Sequence, residues 1–347
     1  MNRLLFITFI VFLFSSCKEV ASFSFELTII ETPVDASIRG LSVVDQNCLW
    51  LSGSGGTILR STDAGKNWKD CSISTESEND FRSIHAFDSL RAVVVGINNP
   101  AVIYSTSNGG TSWDAMDTLS GKGLFFNSLK FIETSTGLAV SDPVEGHFLI
   151  IRSSDGGHSW QKSTKVPPAL SGESNFAASN SCIELLPGGY AWMAGGGARA
   201  RAYSSRDSGN TWTVSDTPIK AQSSADGIYS IAFSDMNNGI IVGGNYQHPQ
   251  LNDSIAAYTL NGGQSWQLCE TMPRGFRSCI QYLSSDTLSI AIAMGKTGFD
   301  YSTDKGQNWL PGGDNGYYTM RAIPGQGAAY AAGADGRLAH ISVSHQQ

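Results

Sequence analysis

Six copies of one eight-residue pattern, Ser/Thr-x-Asp/Asn-x-Gly-x-x-Trp, limit what this chain can fold into more than any other feature of its sequence. They stand at Ser61-Asp63-Gly65-Trp68, Thr106-Asn108-Gly110-Trp113, Ser153-Asp155-Gly157-Trp160, Ser205-Asp207-Gly209-Trp212, Thr259-Asn261-Gly263-Trp266 and Ser302-Asp304-Gly306-Trp309. Successive tryptophans are 45, 47, 52, 54 and 43 residues apart. A period of that length fits one four-stranded sheet per repeat, the blade of a β-propeller.

Each residue of the pattern has a local job. Asp or Asn is expected to accept a hydrogen bond from the backbone N–H two residues on, forming an Asx turn. Gly supplies the positive φ that a tight hairpin needs. The hydroxyl adds a second bond to the backbone, and Trp buries its flat ring between neighbouring sheets. Asp63, Asn108, Asp155, Asp207, Asn261 and Asp304, with Trp68, Trp113, Trp160, Trp212, Trp266 and Trp309, are therefore structural residues. A calcium loop would need further oxygen ligands and a terminal Glu, which do not follow, so no metal site is expected.

The strands around the pattern place blades near 38–74, 81–118, 124–165, 175–217, 226–272 and 275–312. The remainder, 317–343, has three strand-like runs and lacks a fourth. "SFELTIIET", residues 24–32, is strand-like and has no blade of its own. Pairing the two completes a seventh blade and closes the ring, which removes the exposed edges between first and last blades. The fold class expected is all-β: a single seven-bladed propeller of four-stranded blades over 25–347, its last blade closed by the N-terminal strand.

The six motifs resemble the Asp-box, or BNR repeat, of sialidases, sortilin-type receptors and xyloglucanases. The strands of "RGLSVVDQNCLWLSGSGGTILRSTDAGKNW" and "YYTMRAIPGQGAAYAAGADGRLAHIS" resemble more closely the photosystem II stability and assembly factor type of propeller. That resemblance covers roughly residues 38–343 and implies a non-catalytic protein that holds a membrane-protein intermediate.

The chain start reads differently. "MNRLLFITFIVFLFSSCKEV" has one Arg, an apolar run and two small residues before a Cys. The run is too short for a permanent span and fits a signal peptide over 1–16. Cys17 stands where a bacterial lipobox places the lipidated Cys, with Phe14 in place of the usual Leu. A lipidated tether over 17–24 would make the chain an exported lipoprotein on the periplasmic side or the cell surface. The net charge of −7 makes nucleic acid an improbable partner. Cys48, Cys71, Cys182, Cys269 and Cys279 lack the spacing of a zinc site or disulfide framework. Cys48 and Cys71, two strands apart in one blade, would be about 9.5 Å from each other, so buried free thiols are expected.

Box turns join third and fourth strands and share one face. Loops between second and third strands, and between blades, share the opposite face around the channel mouth, where a ligand is expected. "SDPVEGH" carries Asp142 and Glu145. The longest connection, "STKVPPALSGESNFAASNS", carries Glu173, Asn175 and Phe176. Arg199 and Arg201 follow closely on a triple glycine, and Asn245 and Tyr246 lie in "GGNYQHPQLNDS". Arg39, Arg82 and Arg277 recur near the starts of innermost strands, with Arg274, Lys296 and Tyr317 close by. Arginines clustered at the mouth of an acidic protein point to an anionic ligand group. The residues expected to bind a ligand are Glu173, Asn175, Arg199, Arg201, Asn245, Tyr246 and Arg277.

Three functions can be weighed. Gly195-Gly196-Gly197-Ala198-Arg199-Ala200 matches a dinucleotide fingerprint, but a strand and a box follow where that fingerprint needs a helix. No redox cofactor is expected. A glycoside hydrolase would use paired carboxyls at the mouth, from Asp142, Glu145 and Glu173. Against it, the Phe-Arg-Ile-Pro segment of sialidases is absent, and no arginine triad with a Tyr–Glu pair can be read. The preferred reading is a membrane-tethered, monomeric, non-catalytic scaffold for a membrane or exported protein, or for a glycan.

Overall fold

Box corners dictate the architecture, because each forces the chain back on itself at the outer rim. In the fourth box, the Ser205 hydroxyl accepts the N–H of Gly209 at 2.9 Å and donates to Asp207 at 2.9 Å. One Asp207 oxygen accepts the N–H of Thr211 at 2.8 Å, and the other accepts its hydroxyl at 2.7 Å. All six copies repeat the Gly bond at 2.8–3.1 Å. The Asx bond also recurs, at 2.8–3.0 Å, but it reaches the N–H four residues on rather than two. The reason is local. Ser208 and Gly209 are both left-handed, at φ 57° and 78°, and swing the chain back over the carboxylate. A Cβ at Gly209 would also lie 2.6 Å from Leu138 in the preceding blade, so Gly is required twice over.

The computed structural model of the chain describes residues 22–286 and 288–345. The leader expected at 1–16 and Cys17 lie outside them. The seven blades, innermost strand first, begin with Ile38–Val43, Ser83–Ala86, Phe126–Ile132, Ile183–Leu186, Asp226–Phe233, Cys279–Ser284 and Thr319–Ala322. All are antiparallel. In the seventh, the N-terminal strand Phe23–Ile30 lies outermost and pairs with Leu338–His345, from Phe23 opposite His345 to Ile30 opposite Leu338. The ring is closed as expected. The strand starts at Phe23, so the last residues assigned to the tether are already in the sheet, with Phe23 packed on Tyr301. Among the described residues the only helical element is the 3-10 turn Ser74–Glu76.

The apolar core is divided into seven slabs, one between each pair of neighbouring blades. Trp212, Trp266 and Trp309 are buried in these slabs, and Trp68, Trp113 and Trp160 are half-buried. Trp113 donates its indole N–H to the carbonyl of Cys71, fastening the second blade to the first at 2.8 Å. Cys48, Cys71, Cys182, Cys269 and Cys279 are free and buried.

One sheet departs from four strands. The fifth continues past its innermost strand through Gly196–Gly197 to Glu173–Ser174, giving six. Gly196 meets Gly227 so closely that a Cβ on either would fall within 2.6 Å of the other's backbone. The triple glycine thus has a packing role, and the next strand, Arg201–Ser205, follows at once.

This extension carries the connection between the third and fourth blades across the ring axis. Its residues bond to every other blade. Arg39 donates to the Ala178 carbonyl at 3.3 Å. The Asn180 side chain accepts from Leu129 N–H at 2.7 Å and donates to the Ile84 carbonyl at 3.0 Å. Ser179 bonds the Ser278 carbonyl, Ser181 the Ser230 hydroxyl, and Thr319 and Arg321 donate to the Ser179 carbonyl. Asn180 sits at φ 55°, a strained conformation for a non-glycine residue, tolerated best by Asn. The connection is a plug, and it divides the channel in two.

Candidate functional site

Above the plug, on the face opposite the boxes, lies a blind cup of about 400 Å³. Its floor is the plug itself, from Asn175 to Ala178. Its wall is built by the starts of innermost strands. Each contributes the residue after one buried in a blade: Arg39 after Ile38, Arg82 after Phe81, Phe125 after Leu124 and Tyr318 after Tyr317. Period two then points these residues toward the axis.

The cup has two unlike halves. Blades one and two supply Arg39 and Arg82, held over flanking rings. Arg39 lies 4.4 Å from the centre of the Tyr318 ring, and Arg82 lies 5.6 Å from that of Phe125. Arg82 is paired with Asp80 at 2.7 Å. Arg39 has no carboxylate within 4 Å among the described residues. Burial and the neighbouring charge of Arg82 both act against its charged form and lower its pKa. Blades five and six supply the other half. Phe176 lies flat on Tyr229, with ring centres 3.9 Å apart, and Phe276 meets Tyr229 edge-on at 4.7 Å. Tyr246, 46% exposed, closes the rim, and Lys296 donates to its carbonyl at 2.7 Å.

Of the residues expected to bind a ligand, the structure brings Asn175 and Tyr246 to the cup. The others are elsewhere. Arg277 is buried against Asp300, which Arg274 also contacts. The Arg277 N–H donates to the Gly243 carbonyl, as those of Ile38, Phe81 and Tyr317 do to the matching glycines of their preceding blades. Arg277 thus takes the interior position, one residue off its apparent match to Arg39 and Arg82, and Ser278 the axial one. Arg199 is exposed at the rim beside Asp216 and Lys220. Asn245 holds Asp226 at 2.6 Å and caps the following loop. Glu173 and Arg201 pair with each other: the Glu173 side chain is fully buried, and it also accepts from Tyr203 at 3.0 Å and Leu170 N–H at 2.8 Å.

The carboxyls considered for hydrolysis do not line the cup. Glu145 is exposed in a hairpin turn. Asp142 lies behind the floor, accepting from Asn175 N–H at 2.8 Å and from the Asn127 side chain at 3.0 Å. Burial raises its pKa to about 6, against the lowering effect of those bonds.

Sequence reasoning missed Phe125, Asn127, Tyr229, Phe276 and Tyr318. Reading the innermost strands for alternation would have shown Asn127, Tyr229 and Tyr318 in the position of Arg39 and Arg82. Phe125 and Phe276 carry no such signal, because each lies two residues ahead of that position, before Asn127 and Ser278.

Below the plug is a second cavity of about 180 Å³, lined by His85, Lys130, Glu184 and Arg321 among others. Lys130 pairs with Glu184. Burial, then the charges of Lys130 and Arg321, push the His85 pKa down to about 3, so this histidine is neutral.

Comparison with known proteins agrees with this architecture. Residues 18–122 match the family described as photosynthesis system II assembly factor YCF48. The chain is 26% identical over 226 residues to the photosystem II assembly lipoprotein Ycf48 of Synechococcus sp. (strain CC9902), covering 65% of this chain and 59% of that protein. It is 25% identical over 227 residues to the chloroplastic photosystem II stability/assembly factor HCF136 of Arabidopsis thaliana, covering 62% and 52%. The aligned region thus spans less than two thirds of either relative. A structure of YCF48 bound to a D1 peptide superposes with a TM-score of 0.63 at 17% identity, covering 92% of this chain and 96% of that one. YCF48 from Cyanidioschyzon merolae gives 0.60 at 18%, covering 91% and 98%. At such identities these superpositions establish the propeller fold, which the WD40 propeller of Doa1 shares with a TM-score of 0.61 at 12% identity, covering 93% and 97%. The chain is similar to the assembly-factor type of propeller, as its strands implied.

Proposed function

We propose that this chain is an exported, membrane-tethered scaffold that holds a segment of a partner protein at the cup, without catalysis. The observation that carries the proposal is the cup itself. It is blind, because the plug closes it. It is lined by rings and cations on a rigid ring of sheets, which suits docking. The carboxyls a hydrolase would need are engaged elsewhere: Glu173 is neutralised by Arg201, and Asp142 lies behind two amides. The similarity to assembly factors supports the same reading, since one such protein is called a lipoprotein and another is bound to a D1 peptide. In this chain the tether would be a lipid on Cys17.

A photo-crosslinking residue placed at Tyr246, on the cup rim, or at Leu260, in a box, tests the docking face in native membranes. Both positions are exposed. A discrete protein adduct from Tyr246 and none from Leu260 is expected; the reverse pattern would overturn the reading. Cys17→Ala should move the protein from the membrane fraction to the soluble one, and retention on the membrane would remove the lipid tether.

A further inference from the structure

The two halves of the cup differ in what they can hold, and together they define a composite ligand. Resting on the docking reading above, we infer that the cup recognises an acidic residue directly adjacent to an aromatic one in the partner's chain, the carboxylate against Arg39 and the ring against Phe176.

On one side, Arg39 is a half-buried guanidinium with no acid opposite it, while its neighbour Arg82 is occupied by Asp80. Burial and, less, the charge of Arg82 outweigh the help Arg39 receives from Asp80, and an incoming carboxylate supplies the direct counter-charge it lacks. A guanidinium fixed on the face of Tyr318 is oriented beforehand, so little side-chain freedom is lost when the anion arrives. A cationic or neutral residue gains none of this. On the other side, Phe176 has one face on Tyr229, is only half-buried and lines the cup. A flat ring stacked there removes apolar area from water and adds the geometric preference of aromatic pairs. The cup volume of about 400 Å³ accommodates two side chains and little more. The occupant is thus a short piece of chain, and charge complementarity selects its sign.

Titration of a labelled peptide with blocked ends, acetyl-Gly-Asp-Phe-Gly-amide, tests this without involving a terminal carboxylate. Replacing its Asp by Asn, or its Phe by Ala, is expected to weaken binding by about tenfold each at 0.1 M salt. Arg39→Met should abolish the preference for Asp over Asn while keeping that for Phe over Ala. Phe176→Ala should do the opposite, and thermal melts establish that both variants fold. Equal binding of all three peptides, no binding of any, or an Arg39→Met protein that still prefers Asp would each overturn the inference. If crosslinking still maps the native partner to Tyr246 while the peptide preferences fail, the docking face stands and the composite motif falls. Crosslinks at Leu260 instead would remove the docking reading itself.

Discussion

The rim of boxes and the axis of the ring are held together by the same kinds of bond, used in opposite ways. At the rim, the Ser/Thr and Asp/Asn side chains of each box close their own corner, and the solution is repeated six times. At the axis, a single segment bonds to all the other blades, and nothing is repeated. Repetition makes the rim robust, since losing one corner leaves five. The axis has no such redundancy, so each of its side chains should matter more. Its individuality also leaves room for a specific cup. The comparison can be broken by measuring what each region contributes.

The largest effect is expected at the foot of the plug. Glu173→Ala leaves Arg201 buried beside Tyr203 with no counter-charge, and removing one partner of a buried pair costs about 3–5 kcal/mol. Urea unfolding should show the loss as a lower midpoint with an unchanged slope. A Glu173→Ala protein of unchanged stability would mean that the pair does not anchor the connection. Next is Asn180→Ala, which orphans Leu129 N–H and the Ile84 carbonyl and places Ala at a positive φ; about 3 kcal/mol is expected. A cost below that of a box hydroxyl would erase the contrast between axis and rim.

The same contrast explains what could be read from the sequence. Asp-box spacing is a local signal, so the six corners, the blade count and the closing strand were all legible. Arg39 and Arg82 were legible as mouth residues for a similar reason, because they follow buried residues at matching points of two blades. Arg277 looked equivalent. It was misplaced because a shift of one residue in a strand turns every side chain to the other face. Glu173 and Arg201 looked like a ligand site because both are charged, in a long loop and near the mouth. Only the fold shows that they satisfy each other. The plug could not be foreseen, because its bonds join Asn180 to residues 51 and 96 positions away.

Acidity separates the two regions by sign. Asp142, behind the cup, has a folded pKa near 6, above its ordinary value of 3.8. The folded state therefore binds more protons than the unfolded one between about pH 4 and 6, and this group favours folding increasingly as the pH falls through that window. The difference between 3.8 and about 6 corresponds to about 3 kcal/mol as an upper bound. Box carboxylates behave in reverse. Hydrogen bonds to Asn67 and Ser159 hold Asp63 and Asp155 down at about 2. Their support is complete above about pH 4 and is lost as the pH falls toward 2. Asp142→Asn should flatten the stability profile between pH 6 and 4 and leave the acid limb intact. A variant that instead altered the limb below pH 4 would reverse the assignment.

The smallest effect concerns single boxes. Ser205→Ala removes the hydroxyl that caps Gly209 and steadies Asp207, and such a cap contributes about 1 kcal/mol. Ser302→Ala should cost about the same, because its hydroxyl holds Gly306 and Asp304 at 2.9 and 2.8 Å, nearly the distances in the other box. The two sites share no partner, so the double variant should lose the sum of the two within about 0.5 kcal/mol. The same additivity should not hold along the axis. Asn180 and Arg321 are joined through the Asn180 carbonyl, so Asn180→Ala combined with Arg321→Met should cost less than the two separately, the plug having already loosened. Additive losses along the axis, or coupled losses between distant boxes, would show that the repeated and the unrepeated parts of this ring do not differ in the way the bonding pattern requires.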